Sequence, residues 1–229
     1  MEAVKSACGK TARVKARLIE VPLASAIGAD LPLSVGSAEG SMIIDVGGGT
    51  TEICAFSMGC ILKGDSVKVG GEDFSTQLVN YVKSEHNLII GETSAEEAKK
   101  KAGSVFPIDE PRFADVSGRD IITGMPGNVR LNSNELVAPL KDPAIKIIAC
   151  AKRVLDGLPP EISSDISASG IVMCGGGSLL QGLAELVRTE TNVPVKIAES
   201  AAYCGALGTG KCLTDGSLRA IINANRPGN

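Results

Sequence analysis

The chain has 229 residues, 44% hydrophobic and 21% charged, enough to bury the core of one large domain or two small ones. Its net charge is −3 and no basic stripe runs along it, which gives no electrostatic case for nucleic acid as a partner. No run of about 18 apolar residues could span a membrane, and the polar, basic residues 1–15 contain no apolar signal core. A cytoplasmic protein with no direct membrane segment is expected.

Seven cysteines (Cys8, Cys54, Cys60, Cys150, Cys174, Cys204 and Cys212) form no C-x-x-C pair, and His86 is the one histidine. Zinc is not expected; reduced thiols acting as small core residues are. With four Phe, two Tyr and no Trp, the core is aliphatic and aromatic stacking cannot be a main mode of recognition.

In chain order, residues 2–9 read as a helix end closed by Gly9, and 16–20 as a short strand. Residues 23–28 suit a tightly packed small-residue helix, and 30–40 a loop. Strands over 41–45, 50–57 and 61–69, joined by turns at 46–49 and 58–59, are too closely spaced for crossovers and predict an antiparallel meander. A helix over 72–84 follows, with Phe74, Leu78 and Val82 on one face. Ser94 and Glu97 read as a capping box opening a helix to Ala102.

Residues 103–132 hold short β-like pieces. Residues 134–156 are helical in pattern, bent or divided at Pro139 and Pro143. A buried strand over 170–174 leads through three glycines to a helix capped by Ser178, with Leu179, Leu183, Leu186 and Val187 on its face. Residues 194–198 read as an edge strand, 201–213 as a small-residue helix and 216–229 as a loose tail.

Two segments carry chemistry. In residues 43–52, IIDVGGGTTE, an aspartate at a strand end precedes three glycines and two hydroxyls. The side-chain-free backbone of Gly47, Gly48 and Gly49 can approach a phosphate and aim N–H groups at its oxygens. Thr50 and Thr51 add hydroxyl donors, and Asp45 can hold Mg²⁺ directly or through water. A plain glycine hairpin is the rival reading; the flanking Asp and Thr-Thr weigh against it. In residues 170–183, GIVMCGGGSLLQGL, a strand, glycine turn and capped helix form an anion or nucleotide platform. A dinucleotide fingerprint fits poorly, because no acidic residue closes a following strand in a βαβ context.

With these segments in view, the chain resembles the second lobe of the MreB-type bacterial actins, the cell-shape filament proteins. Residues 18–28 (LIEVPLASAIG), 44–52, 69–73 (VGGED), 103–107 (GSVFP), 118–120 with 123–126 (GRD, TGMP), 158–161 (LPPE), 170–182 and 206–211 (ALGTGK) carry the likeness. It extends to about residue 213, whereas chaperone ATPases and sugar kinases share only the glycine turns.

The resemblance implies an α/β, actin-like (ribonuclease-H-like) lobe with a mixed sheet flanked by helices. Residues 1–72 and 133–215 would form its nucleotide-binding body and 73–132 a small inserted α+β subdomain. ATP with Mg²⁺ is the implied cofactor, and other actin-like filament subunits, copies of itself or full-length relatives, the implied partners. Asp45 to Thr51 would be the second phosphate loop, with Glu52 beside it among the nucleotide-binding residues and Thr50 the catalytic-site hydroxyl near the γ-phosphate. Gly175, Gly176, Gly177, Ser178 and Leu179 would border the adenosine. Ala98, Lys99, Lys100 and Lys101 would lie where the family contacts base and ribose.

Three departures bear on activity. The family begins with another lobe carrying its own phosphate hairpin, and nothing like it is found here, so weak ATP binding is expected. Val21 stands where the family places a water-orienting Glu, a loss worth ~10²–10⁴ in rate. Glu20 is one residue away, and neighbours in an extended segment face opposite sides. Lys100 and Lys101 stand where the family tends to an apolar residue and a Glu; Lys101 either meets the ribose or turns to solvent. Lys99 to Lys101 otherwise read as a solvated helix face, and His86 as a solvated helix-end histidine. Glu72 and Asp73 are either a nucleotide-proximal acidic pair or compensation of the helix dipole.

Three functions compete: an ATP-binding cytoskeletal filament subunit, a lobe of a superfamily kinase, and a degenerate lobe that only decorates filaments. No substrate acid or base for a kinase is found.

Overall fold

The computed structural model describes Ser6 and residues 17–225. The expectations for residues 2–9, for Cys8, for the basic N-terminal stretch and for the last four residues lie outside the described residues.

Residues 17–20, expected as a strand, have no regular structure. Helix α1 (Val21–Gly28) follows, with Pro22 in its first turn and every residue from Pro22 to Gly28 buried. Strands β1 (Ser41–Val46), β2 (Thr51–Ser57) and β3 (Cys60–Val67) form the expected antiparallel meander, with Ile44 opposite Ile53 and Asp45 opposite Glu52. Much later in the chain, β7 (Ile171–Cys174) runs parallel beside β1, and β8 (Val195–Ile197) closes the edge. The sheet order is β3-β2-β1-β7-β8.

The pleat sends alternate residues to two cores. Met42, Ile44 and Val46 of β1 join one core with Ile53, Ala55 and Met173. Ile43 joins the other, with Phe56, Val172, Leu23 and Ile27. Helices cover both faces. On the first lie α2 (Gly71–His86), α4 (Val137–Asp156), α5 (Pro160–Ser169) and α6 (Leu183–Thr191). On the second α1 crosses α7 (Cys204–Thr214).

That crossing is backbone on backbone. A methyl at Gly208 would sit 1.7 Å from the Ala24 carbonyl oxygen, and one at Gly28 would sit 1.9 Å from that of Cys204. Only glycine permits such an approach.

Helix α2 buries Phe74, Leu78 and Val82 on the expected face. Its start is fixed by Asp73, whose carboxylate accepts the Gly70 N–H at 2.8 Å, and its end by Asn87 in the left-handed region at φ 51°. Helix α3 (Glu92–Ala102) begins two residues before Ser94, with Gly91 at its cap and no side-chain capping bond. The expected capping box is therefore absent: Ser94 already lies inside the first turn. Strands β4 (Leu88–Ile89), β5 (Phe113–Asp120) and β6 (Pro126–Asn132) form a separate small sheet, on which α3 packs.

Helix α4 is one helix, not two. Pro139 falls in its first turn, where no N–H is needed, and only Pro143 omits a hydrogen bond. The tail also differs from expectation. Helix α8 (Arg219–Ala224) buries Ile221, and the Asn225 side chain accepts the Ile61 N–H and donates to the Gly59 carbonyl, both at 2.7 Å. An amide that satisfies both sides of the β2–β3 turn holds this segment against the sheet.

Candidate functional site

The β1–β2 bend is turned so that the carbonyls of its first two glycines are used and the amides after Gly47 are free. Gly47 N–H closes it on the Thr50 carbonyl at 2.9 Å. The carbonyls of Gly47 and Gly48 accept the Gly71 and Glu72 N–H groups at 2.9 and 2.8 Å, satisfying donors that the first turn of α2 leaves unpaired. Among the described residues, no protein group accepts the N–H of Gly48, Gly49 or Thr50. Three consecutive free amides on an exposed bend form an anion-binding concavity.

The second bend leans on the first. Gly175 has φ +81°, and a methyl there would sit 2.3 Å from the Val46 carbonyl oxygen and 2.5 Å from Asp45 Oδ1. Its N–H is taken by the Ala201 carbonyl at 2.8 Å, while those of Gly176 and Gly177 have no acceptor among the described residues. Ser178 does not cap a long helix as expected. Its hydroxyl donates to the Gly175 carbonyl at 2.7 Å inside the short 3-10 turn Gly176–Leu179, and α6 starts at Leu183 after Gly182.

Both bends line one cavity of about 880 Å³, through Gly47 and Gly48 on one side and Gly176, Gly177 and Leu179 on the other. Helix α3 gives another wall through Glu92, Glu96, Lys99 and Lys100. Positions 92, 96, 99 and 103 form one helical stripe, while Ala95, Ala98 and Ala102 form the buried stripe beside it. Ala98 is thus a core residue, and Lys101 is exposed and faces away from the cavity.

Lys99 is no solvated surface residue. It is 9% exposed, donates to the Gly71 carbonyl at 2.7 Å and is paired with Glu96. Ser75 donates to the same Glu96 carboxylate at 2.7 Å, and Lys100 lies 3.2 Å from it. Desolvation raises the Glu96 pKa, but the bonds from Lys99, Ser75 and Lys100 outweigh it and hold the carboxyl down to about 2. Sequence reading missed Glu96. The signal was the Glu-x-x-Lys step beside the alanine stripe.

The other expected residues lie around rather than in the cavity. Thr51 is fully buried and its hydroxyl donates to the Val69 carbonyl at 2.8 Å, so it serves the sheet. Gly49 and Thr50 are exposed at the tip of the bend. Asp45 accepts a 2.5 Å hydrogen bond from Ser25 and stands opposite Glu52, whose pKa is raised by burial and by the charges of Asp45 and Glu20. Among the described residues no group of three His, Cys, Asp or Glu side chains could hold a metal by itself. A single carboxylate such as Asp45 suits Mg²⁺ only when phosphate oxygens complete its shell. The free amides, this carboxylate and an α3 wall that sets Lys99 and Lys100 beside Glu92 and Glu96 together fit a magnesium-bound nucleotide.

The family model described as MreB/Mbl protein matches residues 1–220. The chain belongs to the MreB/Mbl family. It is 44% identical over 209 residues to the cell shape-determining protein MreB of Escherichia coli K12, covering 91% of this chain and 59% of that protein. Against the cell shape-determining protein Mbl of Bacillus subtilis 168 it is 40% identical over 212 residues, covering 93% and 63%. The chain therefore spans about three fifths of the length of these relatives.

Among solved structures, MreB5 of Spiroplasma citri bound to ADP superposes with a TM-score of 0.87 at 32% identity, covering 94% of this chain and 67% of that one. The AMPPNP-bound form of MreB5 gives 0.86, covering 97% and 66%. The MamK double helical filament, at 20% identity and a TM-score of 0.75, shows the fold alone. This MreB/Mbl chain has the α/β actin-like fold, its mixed sheet flanked by helices. Among the described residues no helix is long and apolar enough to cross a membrane.

Proposed function

We propose that this chain is the nucleotide-gripping part of an MreB-type cytoskeletal subunit. In this reading it binds ATP with Mg²⁺ in the cytoplasm and assembles with actin-like subunits, its own copies or longer relatives, in determining cell shape. The observation that carries the reading is that both glycine bends line one cavity with unpaired amides. The ADP- and AMPPNP-bound MreB5 structures support the choice of ligand.

The amides of Gly48, Gly49 and Thr50 would hold terminal phosphates, with the Thr50 hydroxyl beside them and Asp45 on the cation. Gly176, Gly177, Leu179, Lys99 and Lys100 would border the nucleoside. The carboxylate that accepts ribose hydroxyls is then Glu96, kept ionised by its cationic partners. A bound nucleoside triphosphate supplies a cleavable phosphoanhydride whose charge differs before and after cleavage. Residues 17–72 and 133–215 act as the binding body in this reading, and residues 73–132 as the inserted subdomain.

A second reading, nucleotide binding without efficient hydrolysis, is favoured by Val21, 52% exposed at the start of α1 where the family carries a water-orienting Glu.

Gly176→Val tests the site. A methyl at Gly176 meets nothing within 4 Å, so the fold tolerates the change while a branched side chain enters the cavity wall. Calorimetric titration with Mg·ATP is expected to show saturable binding to the wild-type chain. The variant should bind at least about tenfold more weakly at an unchanged Tm. No binding by the wild-type chain, or equal binding by the variant, overturns the reading.

A further inference from the structure

Arg112 and Gln181 meet over the cavity from two different parts of the fold. Arg112 stands just before β5, and Gln181 follows the second glycine bend; Arg112 Nη2 donates to Gln181 Oε1 at 3.1 Å, and both line the cavity. Their backbones are fixed while their side chains are exposed. The Gln181 carbonyl accepts the Val105 N–H at 3.0 Å and the hydroxyl of fully buried Ser104 at 3.3 Å. Arg112 exchanges two bonds with buried Ser133, N–H to Oγ at 3.0 Å and carbonyl from N–H at 2.9 Å.

Among the described residues no carboxylate pairs with Arg112. A guanidinium held by a neutral amide keeps its full charge and its flat face uncommitted. Apolar surface is beside it, from Leu179, 59% exposed, and Leu180. No tyrosine lines the cavity, and Phe74, which does, is 1% exposed. Arg112 therefore presents the free planar surface that a flat, electron-rich ring would need.

We propose that Arg112, held by Gln181, is the base-contacting residue of this site, laying its guanidinium on the face of a purine nucleotide's base. Gln181 is the positioning residue. The inference rests on the nucleotide reading above and adds a specificity element that joins the small sheet to the second bend.

The test compares Mg·ATP with Mg·tripolyphosphate, which has the phosphates but no base. It uses the full chain as wild type, Arg112→Ala, Arg112→Lys and Gln181→Ala. Stacking predicts that the ratio of ATP to tripolyphosphate affinity falls about three- to thirtyfold in both Arg112 variants, because lysine keeps the charge but not the plane. A smaller fall in the same ratio is expected for Gln181→Ala. An unchanged ratio in Arg112→Ala, or a ratio fully restored by Arg112→Lys, overturns the assignment while leaving the site reading intact. No saturable ATP binding by the wild-type chain removes both.

Discussion

Glu96 shows how one side chain acquires a role from its neighbours. It receives Lys99, Lys100 and Ser75 at the cavity wall, and together they hold its carboxyl at about 2, well below its ordinary 4.5. Because the folded pKa is depressed, the charged form stabilises the native state above pH 4.5, and this contribution is lost as pH falls toward about 2. Thermal melts of wild type and Glu96→Gln are expected to differ most near neutral pH and to converge across that window; a constant difference would contradict the assignment. Partial exposure and solvent screening keep the effect modest. The two triglycine bends were legible in the sequence, because a glycine run directly after an apolar strand marks a tight turn. Glu96 was not, since a glutamate between alanine and glutamate reads as surface until the buried stripe fixes the helix phase. The solvated reading of Lys99 failed for the same reason: a run of three lysines conceals that one of them is buried.

At the scale of elements, the meander of β1 to β3 and the buried face of α2 were legible because both rest on local periodicity and short turns. Caps were less so. Ser94 and Ser178 have the residue type of helix starts, but α3 begins earlier and the 3-10 turn intervenes before α6. The close crossing of α1 and α7 has its own test. Gly208→Ala would place a methyl 1.7 Å from the Ala24 carbonyl oxygen and force the helices apart. A loss of about 3 kcal/mol is expected in denaturant unfolding, set against little change for Gly210→Ala, where nothing lies within 4 Å. Equal stability of the two variants would show that the helices separate without cost.

For the whole molecule, burial of the cysteines reports on the integrity of both cores. Cys54 and Cys150 are pushed up to about 12 and about 11, first by burial, and Cys174 and Cys204 are raised by burial as well. Neutral, enclosed thiols react slowly. Among the six cysteines of the described residues, a thiol reagent at pH 8 is expected to label partly exposed Cys60 and Cys212 first, and the other four only in denaturant, as peptide mass spectrometry would show. Rapid native labelling of Cys54 would contradict the packing. The pairing of β7 with β1 was not readable from periodicity, since nothing in either strand names a partner so distant in the chain.

That pairing has a consequence for biosynthesis. Met42 meets Ile171 in the finished sheet, so a growing chain carries β1 with one unpaired side until the distant β7 has been made. During that interval an apolar strand is open to illegitimate partners. Completing the cleft therefore depends on a contact between distant parts of the chain, because β7 brings the second glycine bend against Val46 only when it pairs with β1.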